Sequence, residues 1–321
     1  MKLGVLTVVL AQMEIEKAMK YLADSGVQMV EIGCGGFPGK AHCDPEVLLN
    51  DDAKLEAFKQ AIYGNGLEIS ALSCHGNPVH PNKEIAKKFH DDFINTILLA
   101  EKLGVDRIVG FSGCPGDCPE SKYPNWVTCP WPDDFLEILD YQWNDVLIPY
   151  WKETAEFAKK HGIKKICFEM HPGFCVYNPE TLLKLRAAVG DIIGANFDPS
   201  HLIWQGMDPV EAIRTLGDAV YYVHGKDVRL DKTNIAKNGV LDTKHYGDVI
   251  NRAWVFRTMG YGNDLKMWKD IVSMLKLVGY DDVISIEHED SLMSPTEGLQ
   301  KAIALLKEVL IFEQSGEMWW A

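Results

Sequence analysis

A single (β/α)8 TIM barrel spanning residues 1–321 is the fold that the sequence predicts, on three observations. Short apolar runs bounded by turn residues alternate eight times with segments of helically spaced apolar residues. No linker or change of composition divides the chain, and α/β barrels routinely run past about 250 residues as one unit. No G-x-G-x-x-G follows the first apolar run, so an open dinucleotide-binding sheet lacks its phosphate-binding turn.

The runs that read as strands are Leu3 to Val9, Met29 to Cys34, Glu68 to Cys74, Arg107 to Ser112, Lys165 to Met170, Ile193 to Asp198, Ala219 to Lys226 and Val283 to Glu289. Their nearly continuous β-branched and aromatic character is that of parallel strands buried on both faces. Between them, Gly26, Gly66, Gly104, Gly162, Gly190, Gly217 and Gly279 each close a helical stretch. Asn178-Pro179 and Asp208-Pro209 place a capping side chain before proline at the first helical position. Two connections exceed what a turn needs, Gly113 to about Asp140 after the fourth strand and Val228 to about Asn263 after the seventh. Both should rise over the catalytic mouth. Trp126 and Trp131 in the first, and Tyr246, Arg252, Trp254 and Arg257 in the second, suit either a sugar-like or aromatic ligand or the anchoring of the loops.

Composition removes several classes of function. With 32 Lys and Arg against 46 Asp and Glu, the formal charge is −14, and no basic run overrides it locally. Nucleic acid and anionic membrane surfaces are therefore not expected partners. No apolar stretch approaches the roughly 20 residues of a membrane span, and Met1 to Leu10 reads as a strand and not a signal peptide, which predicts a cytoplasmic protein. The eight cysteines lack disulfide-framework density, and the Cys114-x3-Cys118 spacing with Cys129 is not a usual zinc pattern.

The last four strands end on ionisable residues: Glu169-Met170-His171, Asp198-Pro199-Ser200-His201, His224-Gly225-Lys226-Asp227 and Glu287-His288-Glu289. Charges at a barrel mouth are costly unless paired or bound to metal, so four successive strands delivering them to one rim call for a cation. Glu169, Asp198, His224 and Glu287 compose a three-carboxylate, one-imidazole set that suits one divalent cation, Mn2+ ahead of Mg2+, Co2+ or Zn2+. The competing assignment makes Asp198 a helix cap and pairs Glu169 with Lys164 or Lys165. His201, Arg229, His75, Asp227 and Trp126 are expected to contact substrate, with Lys226 or Asp227 also placed to orient His224. His75 could equally bond a loop carbonyl. By the period of two, Glu289 shares the inward face with Glu287.

The order Phe168-Glu169, Asp198-x-x-His201, His224-x-Lys226-Asp227 and Ile286-Glu287 resembles the xylose isomerase-like sugar phosphate isomerase/epimerase family, which includes ketose 3-epimerases and inosose dehydratases. The resemblance covers nearly the whole chain. It implies metal ligation by Glu169, Asp198, His224 and Glu287, and contact of His201 with substrate or metal. It further implies keto-sugar chemistry; an enediolate route needs a base on one face and an acid on the other, and Glu169 and Glu287, reaching in from different strands, are expected to fill those roles. The long inserts and His171, two residues past Glu169, keep open a lyase or dehydratase acting on a 3-oxo-sugar, a 3-oxo-glycoside or an inosose, with His171 as base. A deoxyribose-repair endonuclease shares the barrel but needs a basic face. No glycine-rich loop after the last strands offers a phosphate site, so an unphosphorylated sugar is expected. The Trp319-Trp320 tail and the barrel faces make a homo-oligomer the expected assembly.

Overall fold

The computed structural model describes all of residues 1–321. Eight parallel strands close into a barrel: β1 (Lys2–Leu6), β2 (Met29–Gly36), β3 (Glu68–His75), β4 (Arg107–Gly110), β5 (Lys165–Glu169), β6 (Ile193–Phe197), β7 (Val220–Gly225) and β10 (Val283–Ile286). Within the excursion after β7, β8 (Asp227–Leu230) and β9 (Trp254–Arg257) pair antiparallel as a separate two-stranded sheet. The hairpin lies within the long connection, Val228 to about Asn263, that the sequence predicts after the seventh strand.

Barrel strands are shorter at their C-terminal ends than the apolar runs suggest: β4 stops at Gly110, β5 at Glu169 and β10 at Ile286. The first run yields strand only to Leu6 and continues as a short 3-10 turn, Thr7–Leu10. Past these points the backbone leaves the ladder while its side chains continue the inward alternation.

That alternation builds the barrel interior in layers. Met29, Ala71, Val109, Cys167, Tyr222 and Val283 form an apolar plug near the strand starts. Two residues on, about 6.6 Å further along each strand, stand Glu31, Ser73, Phe111, Glu169, His224 and Ser285. A third step reaches His75, His171, Lys226 and Glu287 at the mouth. A continuous core of 64 buried residues, from strands and helices alike, joins barrel to helices.

The helices begin and end as their residues dictate. Asn178 accepts from Thr181 N, and Asp208 accepts from Val210 N and Glu211 N. The helix Lys83–Leu103 starts where the Asn82 side chain accepts from Glu84 N and Ile85 N, and it stops at Gly104, whose φ of 72° admits a left-handed turn. It buries Phe93, Ile97 and Ala100 against the barrel and leaves Ile85 exposed near the mouth. No helix is long and apolar enough to cross a membrane.

Candidate metal centre and active-site cavity

At the C-terminal mouth, Glu169, Asp198, His224 and Glu287 each bring one ligand-type atom to a cluster whose members lie within 4.8 Å of one another. His224 Nδ1 stands 3.3 Å from Glu169 Oε2 and 3.0 Å from Glu287 Oε2. Asp198 divides its duties. Its Oδ1 caps the following helix by accepting from Ser200 N at 2.8 Å, while the buried Oδ2 accepts no hydrogen bond. The capping and ligand assignments thus fall on different oxygens of one carboxylate. Lys164 pairs with Asp106, and Lys165 lies over the Tyr221 ring, so neither occupies Glu169.

Four buried or nearly buried carboxylates, Glu31, Glu169, Asp198 and Glu287, face the cationic groups of this interior. Burial alone would favour their neutral forms. For Glu169, burial raises the pKa, but contacts from His201, His224 and His75 outweigh it and hold the carboxyl well below its usual range. Glu287 is likewise opposed by burial, yet Lys226 and His224 bring it to about 2. Burial keeps Asp198 above its ordinary value. His224 is pushed strongly upward because Glu31 and Glu287 overcome its burial.

Two observations test whether a divalent cation fits. Asp198 Oδ2 and Glu287 Oε2 are buried oxygens that make no well-directed hydrogen bond, although His201 stands 3.3 Å from the first and His224 and Lys226 stand 3.0 and 3.3 Å from the second. The donor set of three carboxylates and one imidazole is of the kind that takes a hard or borderline divalent ion. The residues fit the ion, and an ion bound there would displace the proton on His224 Nδ1.

Glu31, on β2, escaped the sequence reading. It is fully buried, accepts from Ser285 Oγ at 2.6 Å and from Ser73 Oγ, and stands 3.0 Å from His224 Nε2. Glu31 therefore fixes the far nitrogen of the imidazole and turns Nδ1 toward the cluster. Asn196 adds contacts to Glu169 Oε2 at 3.3 Å and His224 Nδ1 at 3.1 Å. The available signal was one carboxylate inside the apolar run Met29-Val30-Glu31-Ile32, in phase with the barrel interior.

Other expected residues divide between the site and its surroundings. His75 Nε2 lies 3.2 Å from Glu169 Oε2, so its partner is the cluster and not a loop carbonyl. His201 Nε2 lies 3.1 Å from Glu169 Oε1 and 3.3 Å from Asp198 Oδ2. Lys226, only 3% exposed, reaches Glu287 at 3.3 Å, Glu289 at 3.0 Å and His201 at 3.3 Å. His171 lines the cavity beside His201, with ring centroids 4.0 Å apart. Burial, then the neighbouring His201, lowers its pKa to about 3. Its Nδ1 donates to the Pro172 carbonyl at 2.6 Å, which leaves the lone pair on Nε2.

Three expectations require correction. Arg229 is exposed and does not line the cavity, because the turn into β8 carries its side chain outward. Trp126 packs edge-on against Tyr177 at 5.6 Å, a loop anchor and not a cavity wall. Asp227 neither orients His224 nor faces substrate. Its carboxylate accepts from Gly260 N, Gly262 N and Asn263 N, which ties the end of the β7 excursion to its beginning.

The cavity beside the cluster has a volume of about 650 Å3. Glu169, His171, Lys226, Glu287 and Glu289 form its polar end, and Phe111, Phe174 and Phe256 its apolar walls. From the β7 excursion come Tyr246, Arg252 and Phe256, while Trp254 stacks on Trp204 at 4.6 Å and holds the hairpin down. The excursion thus supplies both cavity wall and anchor.

Residues 19–309 match the family model described as "Xylose isomerase-like TIM barrel". The chain is 41% identical over 312 residues to "Uncharacterized protein YfiH" of Bacillus subtilis (strain 168), covering 97% of this chain and 99% of that protein. It is 23% identical over 299 residues to an inosose dehydratase of Mesomycoplasma hyopneumoniae (strain J), covering 92% of this chain and 88% of the relative. Among solved structures, a D-tagatose 3-epimerase-like protein superposes with a TM-score of 0.63 at 23% identity, covering 96% of this chain and 98% of that one.

Proposed function

The chain belongs to the xylose isomerase-like TIM barrels, and from that premise we propose a divalent-metal-dependent isomerase or epimerase acting on an unphosphorylated keto-sugar. The observation that carries the proposal is the convergence of Glu169, Asp198, His224 and Glu287 at one end of a cavity large enough for a sugar. The epimerase-like structural neighbour and the inosose dehydratase relative are in keeping with polyhydroxylated carbonyl substrates. Lys226 is surrounded by carboxylates, and Arg252 donates to the carbonyls of Trp254 and Lys244, so neither stands ready for a phosphate.

Glu169, Asp198, His224 and Glu287 would hold the ion, whose chemistry is Lewis-acid stabilisation of negative charge developing on the substrate carbonyl and its neighbouring hydroxyl. Glu169 is held ionised by its three histidine neighbours and accepts the proton from the carbon next to the carbonyl. Glu287 approaches from another strand; ionised beside Lys226 and His224 in the resting site, it first takes up a proton from solvent and then delivers it to that carbon. Lys226 Nζ, 3.3 Å from Glu287 Oε2, fixes the position of that carboxylate by its charge. Phe111, Phe174 and Phe256 exclude water from the reacting carbon.

A second reading rests on a specific observation, the neutral His171 with its Nε2 lone pair available. Here His171 takes the α-proton, and Lys226 protonates a leaving hydroxyl or glycosidic oxygen, giving a lyase on a 3-oxo-sugar, 3-oxo-glycoside or inosose. Incubation of the Mn2+-loaded protein with ketohexoses and inososes in D2O separates the readings. Solvent deuterium in a product of unchanged elemental formula supports isomerisation, whereas loss of water or an aglycone supports elimination. Absence of exchange with every carbonyl substrate would overturn both.

A further inference from the structure

A second chamber of about 400 Å3 adjoins the active-site cavity, and Phe37 and Phe174 line both. Its remaining wall comes from Asn77, His80, Ile85 and Phe89, with Pro124 and Gly173 at the edge. No Asp, Glu, Lys or Arg is among these residues, in a chain whose residues are 24% charged. Asn77 is already engaged through both its amide atoms and His80 through one ring nitrogen, which leaves His80 Nε2 as the one polar side-chain atom of the wall without a partner in the protein. Asn77 Nδ2 donates to Cys114 O, its Oδ1 accepts from Cys114 N, and His80 Nδ1 accepts from Asn82 N.

An unbroken line of rings joins the chamber to the catalytic cluster. His75, which touches Glu169, lies 4.6 Å edge-on from Phe111, Phe111 lies 6.1 Å from Phe37, and Phe37 lies 5.2 Å from Phe89. Phe174 stacks on Phe111 at 4.2 Å from the other side. The backbone fixes Phe37 in this line. Gly36 has φ of 64°, a Cβ there would lie 1.8 Å from His75 O, and Phe37 N donates to that same carbonyl at 2.8 Å. Phe37 nevertheless remains 63% exposed, and Ile85 39%, an apolar surface that solvent leaves uncovered.

We propose that this chamber is a binding subsite for an aryl group carried by the sugar, so that the substrate is an aryl-substituted keto-sugar and not a free monosaccharide. The inference rests on the keto-sugar reading of the inner site. A second sugar ring fits the chamber poorly, because its hydroxyls would meet no free amide or carboxylate there. An aromatic ring meets edges and faces of Phe37, Phe89 and Phe174, the geometry in which aromatic pairs attract. An inner cavity of about 650 Å3 already lies in the range of drug-sized ligands, roughly 300–1,000 Å3, and the chamber extends it in one direction.

The test compares matched ethers of one ketose, O-methyl- and O-benzyl-D-fructose substituted at C1 or at C6, by titration calorimetry with Mn2+-loaded protein. One benzyl ether is expected to bind about tenfold tighter than its methyl counterpart. Ile85→Asp, a change at an exposed helix position, is expected to erase that preference while leaving methyl-ether affinity unchanged. Phe37→Ala should weaken benzyl binding in the same direction. Methyl ethers that bind while no benzyl ether binds better would overturn the aryl subsite alone. A benzyl preference that survives both substitutions would also overturn it. If no ether of either kind binds, the keto-sugar reading of the inner site falls and the subsite falls with it.

Discussion

Two layers of the barrel interior, one step of the strand repeat apart, have opposite chemistry. The lower layer of Met29, Ala71, Val109, Cys167, Tyr222 and Val283 is apolar but for the Tyr222 hydroxyl, which pairs with Ser70 at 2.7 Å. The layer above it replaces Met29 by Glu31, Ala71 by Ser73, Cys167 by Glu169, Tyr222 by His224 and Val283 by Ser285. The plug keeps water from reaching the carboxylates from below, so each charge is answered by another side chain and not by solvent. One backbone geometry serves both layers. The period of two lets a strand give its lower half to cohesion and its upper half to chemistry.

The largest effect that would sharpen this contrast is expected from Glu169→Gln. Elemental analysis of chelator-free, Mn2+-reconstituted protein should show metal retained in wild type and depleted in the variant, with turnover down by at least about a hundredfold. Full metal occupancy in the variant would remove Glu169 from the ligand set. A smaller effect should follow Glu31→Gln, which keeps the side-chain shape but removes the charge behind His224. Metal affinity, measured by competition with a chromophoric chelator, is expected to weaken about 10- to 100-fold. Unchanged affinity would make Glu31 a packing residue. In the lower layer, Val109→Ala should cost about 2 kcal/mol in urea unfolding and leave kcat/KM unaltered. A comparable loss of activity would show that the two layers are not separable.

Much of the barrel could be read from residue order, because Val, Ile and Phe runs closed by glycine carry their own local preference. The mouth residues at the ends of the last four strands were legible for a related reason, since an apolar run that closes on a carboxylate or imidazole, four times in succession, is conspicuous. Glu31 was harder to find. It lies within a run and is followed by Ile32 and Gly33, so its partner His224, far off in sequence, is visible only once the barrel closes. Asp227 misled for the opposite reason: adjacent to Lys226 in a motif of site residues, it is turned by the chain toward backbone amides more than thirty positions on. The β8–β9 hairpin was hidden because Val228 to Leu230 and Trp254 to Arg257 are short runs that depend on each other for pairing.

The carboxylate of Asp227 also bears on how such a molecule can diversify. Its two oxygens gather Val228 N and Asn263 Nδ2 on one side and Gly260 N, Gly262 N and Asn263 N on the other, so both ends of the β7 excursion close on a single side chain. The excursion is a pedicelled module: its interior can lengthen, shorten or change sequence while the barrel beneath it keeps the same boundary. Loop-closure entropy rises only slowly with length, so such a stem makes the rim beside the cavity open to exchange, with substrate preference free to change above an unaltered chemical floor.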